Sequence, residues 1–103
     1  MPVELLYFDG CPNHERLLPR LRELVRAHGQ TLELRRIETA EQAERERFLG
    51  SPTVRVDGED VEPGAGERRD YGMKCRIFRS GTGHAPLPPE EWIVSALERA
   101  RGG

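Results

Sequence analysis

The chain has 103 residues, 36% hydrophobic and 33% charged, with a net charge of −2. That length holds one domain (residues 1–103) with a modest core, and the charge balance gives no electrostatic case for nucleic acid or an anionic membrane. Met1-Pro2-Val3-Glu4 lacks the basic lead of a signal peptide, and no segment is apolar enough to span a bilayer, which predicts a cytoplasmic protein.

Val3–Phe8 carries Val3, Leu5, Leu6, Tyr7 and Phe8, first alternating and then continuous, which predicts an inner strand covered on both faces. Asp9-Gly10 makes a turn, and Cys11 stands at the junction with a helix whose first position suits Pro12. From Pro12 to His28, Leu17, Leu18, Leu21, Leu24, Val25 and His28 recur at helical spacing, and Gly29 is a stop. Pro19 removes the bond to the Glu15 carbonyl and is expected to kink this helix. Thr31–Glu38 alternates Leu32 and Leu34 with charged residues, as a half-exposed edge strand does, and its apolar phase slips at Arg36-Ile37.

Thr39, with Gln42 three residues on, forms a capping-box pattern for a short polar helix to about Leu49. Gly50-Ser51-Pro52-Thr53 stops it. Thr53–Val56 is strand-like, Asp57-Gly58 is a hairpin turn, and Glu59–Glu62 can return as its partner. Pro63-Gly64-Ala65-Gly66 is a loop, Arg68–Ser80 holds Y-G-M-K-C-R-I-F, and Gly81–Pro86 is turn-rich. Pro88-Pro89-Glu90-Glu91 opens a last helix whose stripe is Ile93, Ala96, Leu97 and Ala100.

Cys11 lies where backbone N–H groups have no intrahelical partner and the helix dipole favours negative charge. Thiolate is the reactive form of cysteine, and such a position favours it; the alternative is a buried cysteine packing as a small hydrophobe. In the cytoplasm, two cysteines point to reactive or metal-binding roles rather than a permanent structural disulfide. His14, one helical turn on, either bonds the thiolate and shuttles its proton or is a solvent-exposed helix residue. The charge of Asp9 opposes the thiolate, so it fits a helix cap or a proton carrier better. His28 and His84 form no metal-ligand spacing, Glu90 and Glu91 suit a helix start, and Trp92 suits the core or a lid over the last helix's stripe. No phosphate loop, nucleophile elbow or zinc knuckle occurs.

The order strand, helix, strand, helix, hairpin, loop, helix resembles a thioredoxin-like fold. Cys11-Pro12-Asn13-His14 looks like the C-P-x-x active-site turn of glutaredoxins and related proteins. Ser51-Pro52-Thr53-Val54-Arg55-Val56-Asp57-Gly58 resembles the segment that begins at their cis-proline and continues through a β-hairpin. F-D-G-C-P-N, G-S-P-T, Y-G-x-x-C-R and P-P-E-E-W together are similar to the pattern of small bacterial thioredoxin-like proteins sometimes labelled alkylmercury-lyase-like. Some of those carry selenocysteine at the position of Cys11. The resemblance covers nearly the whole chain. It implies an α/β domain with a mixed four-stranded sheet flanked by helices, and a cis Ser51–Pro52 bond beside Cys11. It also implies that backbone at Ser51 pairs with a bound substrate, and that Cys11 does redox or soft-metal chemistry. Organomercurial cleavage is not carried over, because it needs a further acidic residue and a larger domain.

His14 stands where a C-x-x-C turn has its second thiol, so Cys11 cannot close a disulfide within its own turn. In glutaredoxin-like folds the segment after the hairpin passes beside that turn, and its glycines grip an anionic thiol; Gly64 and Gly66 occupy about that place. With the loop folded over the site, Cys75 would resolve a mixed disulfide or sulfenic acid formed at Cys11. The alternative is a strand cysteine packed beside Ile77 and Phe78. Arg76 and Arg79 either steer an anionic thiol or help stabilise the thiolate, or else point outward from an alternating strand, and Tyr71 either packs over the site or closes the loop.

The expected function is therefore thiol–disulfide exchange, with Cys11 as nucleophile, Cys75 resolving, and Pro12, His14, Ser51, Pro52 and Arg76 in support. The expected partner is a thiol or disulfide, small molecule or protein, with glutathione or another low-molecular-weight thiol as co-substrate and no firm bound cofactor. Two alternatives stay open: a soft metal such as Hg(II) or Cu(I) held by Cys11 and Cys75, or a non-catalytic interaction module.

Overall fold

The apolar run near the start becomes the centre of the sheet. In the computed structural model, which describes residues 2–81 and 83–102, β1 (Pro2–Tyr7) pairs in parallel with β2 (Thr31–Arg36) and antiparallel with β3 (Thr53–Val56). β3 turns through Asp57-Gly58 into β4 (Glu59–Asp60), so the mixed four-stranded sheet has the order β2-β1-β3-β4. Three helices complete this α/β unit: α1 (Asn13–Ala27), α2 (Ala40–Arg45) and α3 (Glu90–Gly102). None is long and apolar enough to cross a membrane.

Successive side chains of a strand point to opposite faces, and β1 uses both. Val3 and Leu5 join one apolar cluster with Leu17, Leu21 and Leu24 of α1 and Ile93 and Leu97 of α3. Leu6 points the other way, into a smaller cluster with Ile37, Ala43 and Phe48 around α2. Burial of one such aliphatic side chain contributes about 1.5–3 kcal/mol, so the central strand is held firmly from both faces. β2 is the half-exposed edge anticipated from its alternation, with Leu34 45% exposed. Its apolar phase slips because the strand ends at Arg36; Ile37 donates its N–H to the Tyr7 carbonyl at 2.7 Å and turns its side chain into the α2 cluster.

Several boundaries differ from the sequence expectation. α1 begins at Asn13, with Pro12 at the cap position, and the helix continues through Pro19 on an exposed stretch. At α2, Thr39 Oγ1 accepts from the Gln42 N–H at 3.0 Å, while Gln42 Oε1 accepts from the Glu38 N–H at 2.9 Å, one residue ahead of the cap. This helix stops at Arg45 rather than near Leu49, because the chain turns at Arg47 (φ 57°) to bury Phe48 and Leu49.

The return strand covers only Glu59–Asp60, after which Val61 enters the core and a 3-10 turn forms at Ala65–Glu67. A second small sheet, β5 (Phe78–Ser80) against β6 (Gly83–Ala85), occupies part of the stretch expected to be turn-rich. Thr82 of that stretch lies outside the described residues. Gly83, His84 and Ala85 are all exposed, so the hairpin carries no apolar alternation by which sequence would reveal it.

Candidate functional site

Cys11 follows the turn after β1 and precedes α1, and its N–H donates to the Phe8 carbonyl at 3.3 Å. The residue is fully buried, and its sulfur is bonded to that of Cys75, with Cα atoms 5.6 Å apart. That spacing is the usual one for a disulfide. No side chain caps α1, so the helix start keeps its unpaired N–H groups next to the cysteine turn. Asp9 accordingly is not a helix cap: it pairs with Arg36 at 3.4 Å on the surface.

Ser51 joins the two cysteine segments. Its carbonyl lies 3.6 Å from Cys11 Sγ, within reach of an S–H donor when that residue is a thiol. The same carbonyl accepts from the Arg76 N–H at 2.9 Å, and the Ser51 N–H donates to the Lys74 carbonyl at 2.8 Å. Ser51 and Cys75 are therefore paired in a parallel bridge. Both backbone hydrogen-bonding directions of Ser51 are taken by the chain's own residues 74–76. The Ser51–Pro52 bond is cis, and both residues are buried.

Gly50 makes this approach possible: with φ +122°, an added Cβ would stand 2.9 Å from the Lys74 carbonyl oxygen and 3.1 Å from Arg76 Cβ.

Arg76 fixes the other side of the segment. Its side chain is 2% exposed, and its guanidinium donates to both Asp60 oxygens at 2.8 and 3.1 Å, to Glu62 at 3.2 Å and to Thr53 Oγ1 at 3.0 Å. It also lies 4.6 Å from the centre of the Phe78 ring. A guanidinium so engaged does not receive an incoming anion, which corrects the steering role considered for Arg76. It positions Cys75 instead, by tying the residue next to the thiol onto β3 and β4. Ile77, expected as a packing neighbour of Cys75, is 61% exposed, whereas Phe78 is buried against Trp92.

His14 stacks on Tyr7 with ring centres 4.2 Å apart, and its Nδ1 lies 3.1 Å from the Cys11 carbonyl oxygen. A carbonyl only accepts, so Nδ1 carries the proton and the ring grips the backbone of Cys11 rather than its sulfur. Pro12 is exposed beside it.

Gly64, Gly66 and Tyr71 line a different depression, of about 480 Å³, together with Arg47, Arg55 and Arg99; neither cysteine borders it. The thiol-gripping role considered for the two glycines is thus not met beside the disulfide. The cavity that does border Cys75 has about 630 Å³ and is walled by Lys74, Ile77, Arg79 and Trp92. Glu90 serves α3, pairing with Arg20 of α1 at 2.6 Å, and this guanidinium holds its carboxyl below the usual range. Among the described residues no three His, Cys, Asp or Glu side chains come together as a metal site.

Comparison of the chain with known protein families, with curated proteins and with solved structures finds no match.

Proposed function

We propose that this is a thioredoxin-like thiol–disulfide oxidoreductase whose redox couple is Cys11 and Cys75. The observation that carries the reading is the disulfide itself: it links a cysteine at the start of α1 to one on a segment without regular structure, 64 residues further on. The sheet order, with α1 and α3 on one face and α2 on the other, supports the thioredoxin-like assignment. The contact of Ser51 with Cys11 supports it too, since that residue precedes the proline of the G-S-P-T motif. A helix start stabilises Cys11 when it leaves as a thiolate, while burial and the Ser51 carbonyl favour the thiol, so both redox forms find support at one place. The redox partner is a thiol or disulfide of low molecular weight or on a protein.

Equilibration in buffers of graded glutathione redox ratio, followed by alkylation and mass measurement, tests the proposal. The expected result is a reversible two-electron transition in a protein that keeps its native circular dichroism. A disulfide that opens only after denaturant unfolds the chain would make the bond purely structural and end the oxidoreductase reading.

A further inference from the structure

We infer that exchange begins at Cys75, not at Cys11, and that small anionic thiols reach it through the cavity beside Lys74, Arg79 and Trp92. This order reverses the one expected from sequence, and it rests on the exchange reading above. Displacement at a disulfide sulfur runs in line: the attacking sulfur approaches from the side opposite the leaving one. For attack on Cys11 that line would have to pass through the protein, because Cys11 is fully buried. Cys75 is exposed and borders the cavity, so of the two residues it is the one an attacking thiolate can reach from outside. Which sulfur is accessible decides where exchange starts, and the better-stabilised thiolate is the better leaving group. Access selects Cys75 for attack, and the start of α1 selects Cys11 to leave.

The steps balance as follows. A thiolate, RS⁻, attacks Cys75 Sγ; the new R–S–S–Cys75 bond forms while the bond to Cys11 breaks, and Cys11 Sγ keeps the electron pair and takes a proton from water. A second RS⁻ attacks the R-bearing sulfur, releasing RSSR and the Cys75 thiolate. Two thiols are oxidised to one disulfide, and the protein disulfide receives the two electrons. In reverse, the Cys75 thiolate attacks RSSR, and Cys11 closes the ring by displacing RS⁻.

The cavity wall determines which thiols arrive. Arg68, Lys74, Arg76 and Arg79 border it against Glu62 and Asp70. Arg68 is engaged by both carboxylates at 2.9 and 2.6 Å, Lys74 shares Asp70 at 3.1 Å, and Arg76 is engaged by Glu62 and Asp60. Arg79 is exposed and makes no ion pair among the described residues, leaving an uncompensated cation on the approach. An extended peptide gains nothing from Ser51, whose backbone already pairs with residues 74 and 76. The groove therefore fits a compact thiol bearing a carboxylate or sulfonate.

The test treats the oxidised protein with 2-mercaptoethanesulfonate, quenches in acid, alkylates and maps the peptides. Cys11→Ser and Cys75→Ser are reacted separately with the symmetrical disulfide of the same thiol and with cationic cystamine. The expected intermediate carries the adduct on Cys75 with Cys11 free, and Cys75 in the first variant reacts at least about tenfold faster than Cys11 in the second. In low salt, Cys75 should prefer the anionic reagent to cystamine by about tenfold, falling toward parity near 1 M salt, where the screening length is about 3 Å. Arg79→Glu should erase that preference without changing which sulfur is modified. An adduct on Cys11 would overturn the order while leaving exchange intact. Equal rates for both reagents, unaffected by Arg79→Glu, would overturn the anionic groove alone. Failure of every thiol to open the folded protein's disulfide would overturn the underlying exchange reading instead.

Discussion

One disulfide joins two regions built on opposite principles. Cys11 sits just past the turn that follows β1, the strand whose side chains Val3, Leu5 and Leu6 are fully buried on both faces. Cys75 sits on residues 68–77, which form no helix or strand and are tied to the rest of the chain by backbone bonds at Arg68, Gly72, Ser51 and Arg76, together with the ion cluster of Arg76. Apolar burial is not screened by salt and depends only weakly on pH, whereas paired charges are screened and titrate. The buried cysteine thus belongs to an apolar frame and the exposed one to a polar strap, and loosening the strap is expected to leave the frame folded.

The largest effect should come from cutting the link between the two regions. A cross-link across 64 residues restricts the unfolded chain by about 4 kcal/mol in the chain-entropy description. Cys75→Ser should lower the unfolding free energy in urea by that amount, with far-UV circular dichroism unchanged. A loss of secondary structure as well would show that the frame depends on the strap, and would break the comparison.

Next comes the ion cluster. Arg76→Met should cost about 3 kcal/mol, because removing one partner of a buried pair strands the others, here Asp60 and Glu62. Arg76→Lys should restore little, since one ammonium cannot match the two-oxygen contact with Asp60. Hydrogen exchange sharpens the result: the Ser51 amide should lose protection while amides of β1 keep theirs. Uniform loss at both would mean that frame and strap unfold as one unit.

Gly50→Ala acts on the same seam through sterics. The positive φ and the 2.9 Å approach to the Lys74 carbonyl oxygen leave no room for a Cβ, and strain of this kind is worth about 2 kcal/mol. If the strap moves away to relieve it, the equilibrium between reduced and disulfide forms should shift toward the reduced form by about 30-fold. An unchanged equilibrium with lowered stability would place the strain in β3 instead.

The same contrast explains what could be read from the sequence. The frame was legible because hydrophobic period and capping chemistry are local: the run in β1, the spacing of Leu17, Leu21 and Leu24, and the Thr39–Gln42 cap correspond to observed elements. Cys11 at a helix start was legible for the same reason. The strap was not, because its contacts pair Arg76 with Asp60 and Glu62, 16 and 14 positions away, and charged residues carry no period. Arg76 thus read as a cation that steers an anionic thiol or faces outward, although it is among the most buried side chains. A strand-like residue pattern at 75–79 offered no sign that Cys75 would be exposed and Cys11 sealed, since depth at a junction depends on what packs over it.

The smallest effect belongs to Asp70, on the rim of the strap. Its carboxylate meets Arg68 at 2.6 Å and Lys74 at 3.1 Å, and the Arg68 contact above all holds it well below the usual carboxylate range. A depressed folded-state value means that its stabilisation is complete above the ordinary carboxylate pKa of about 3.9 and disappears as pH falls from there through the depressed value. Asp70 is half exposed, so solvent screens the pair and Asp70→Asn should cost less than about 1 kcal/mol, a deficit that shrinks on the acid limb and makes that limb flatter in the variant. Between pH 5 and 7 the variant's deficit should stay constant. The substitution also frees Lys74 and leaves Arg68 with Glu62 alone beside Cys75, so reaction of Cys75 with an anionic disulfide reagent should quicken severalfold in low salt while reaction with cystamine slows. A large stability loss with no change in reagent preference would mean that Asp70 organises the strap rather than its charge, and would remove the distinction between holding Cys75 in place and choosing what reaches it.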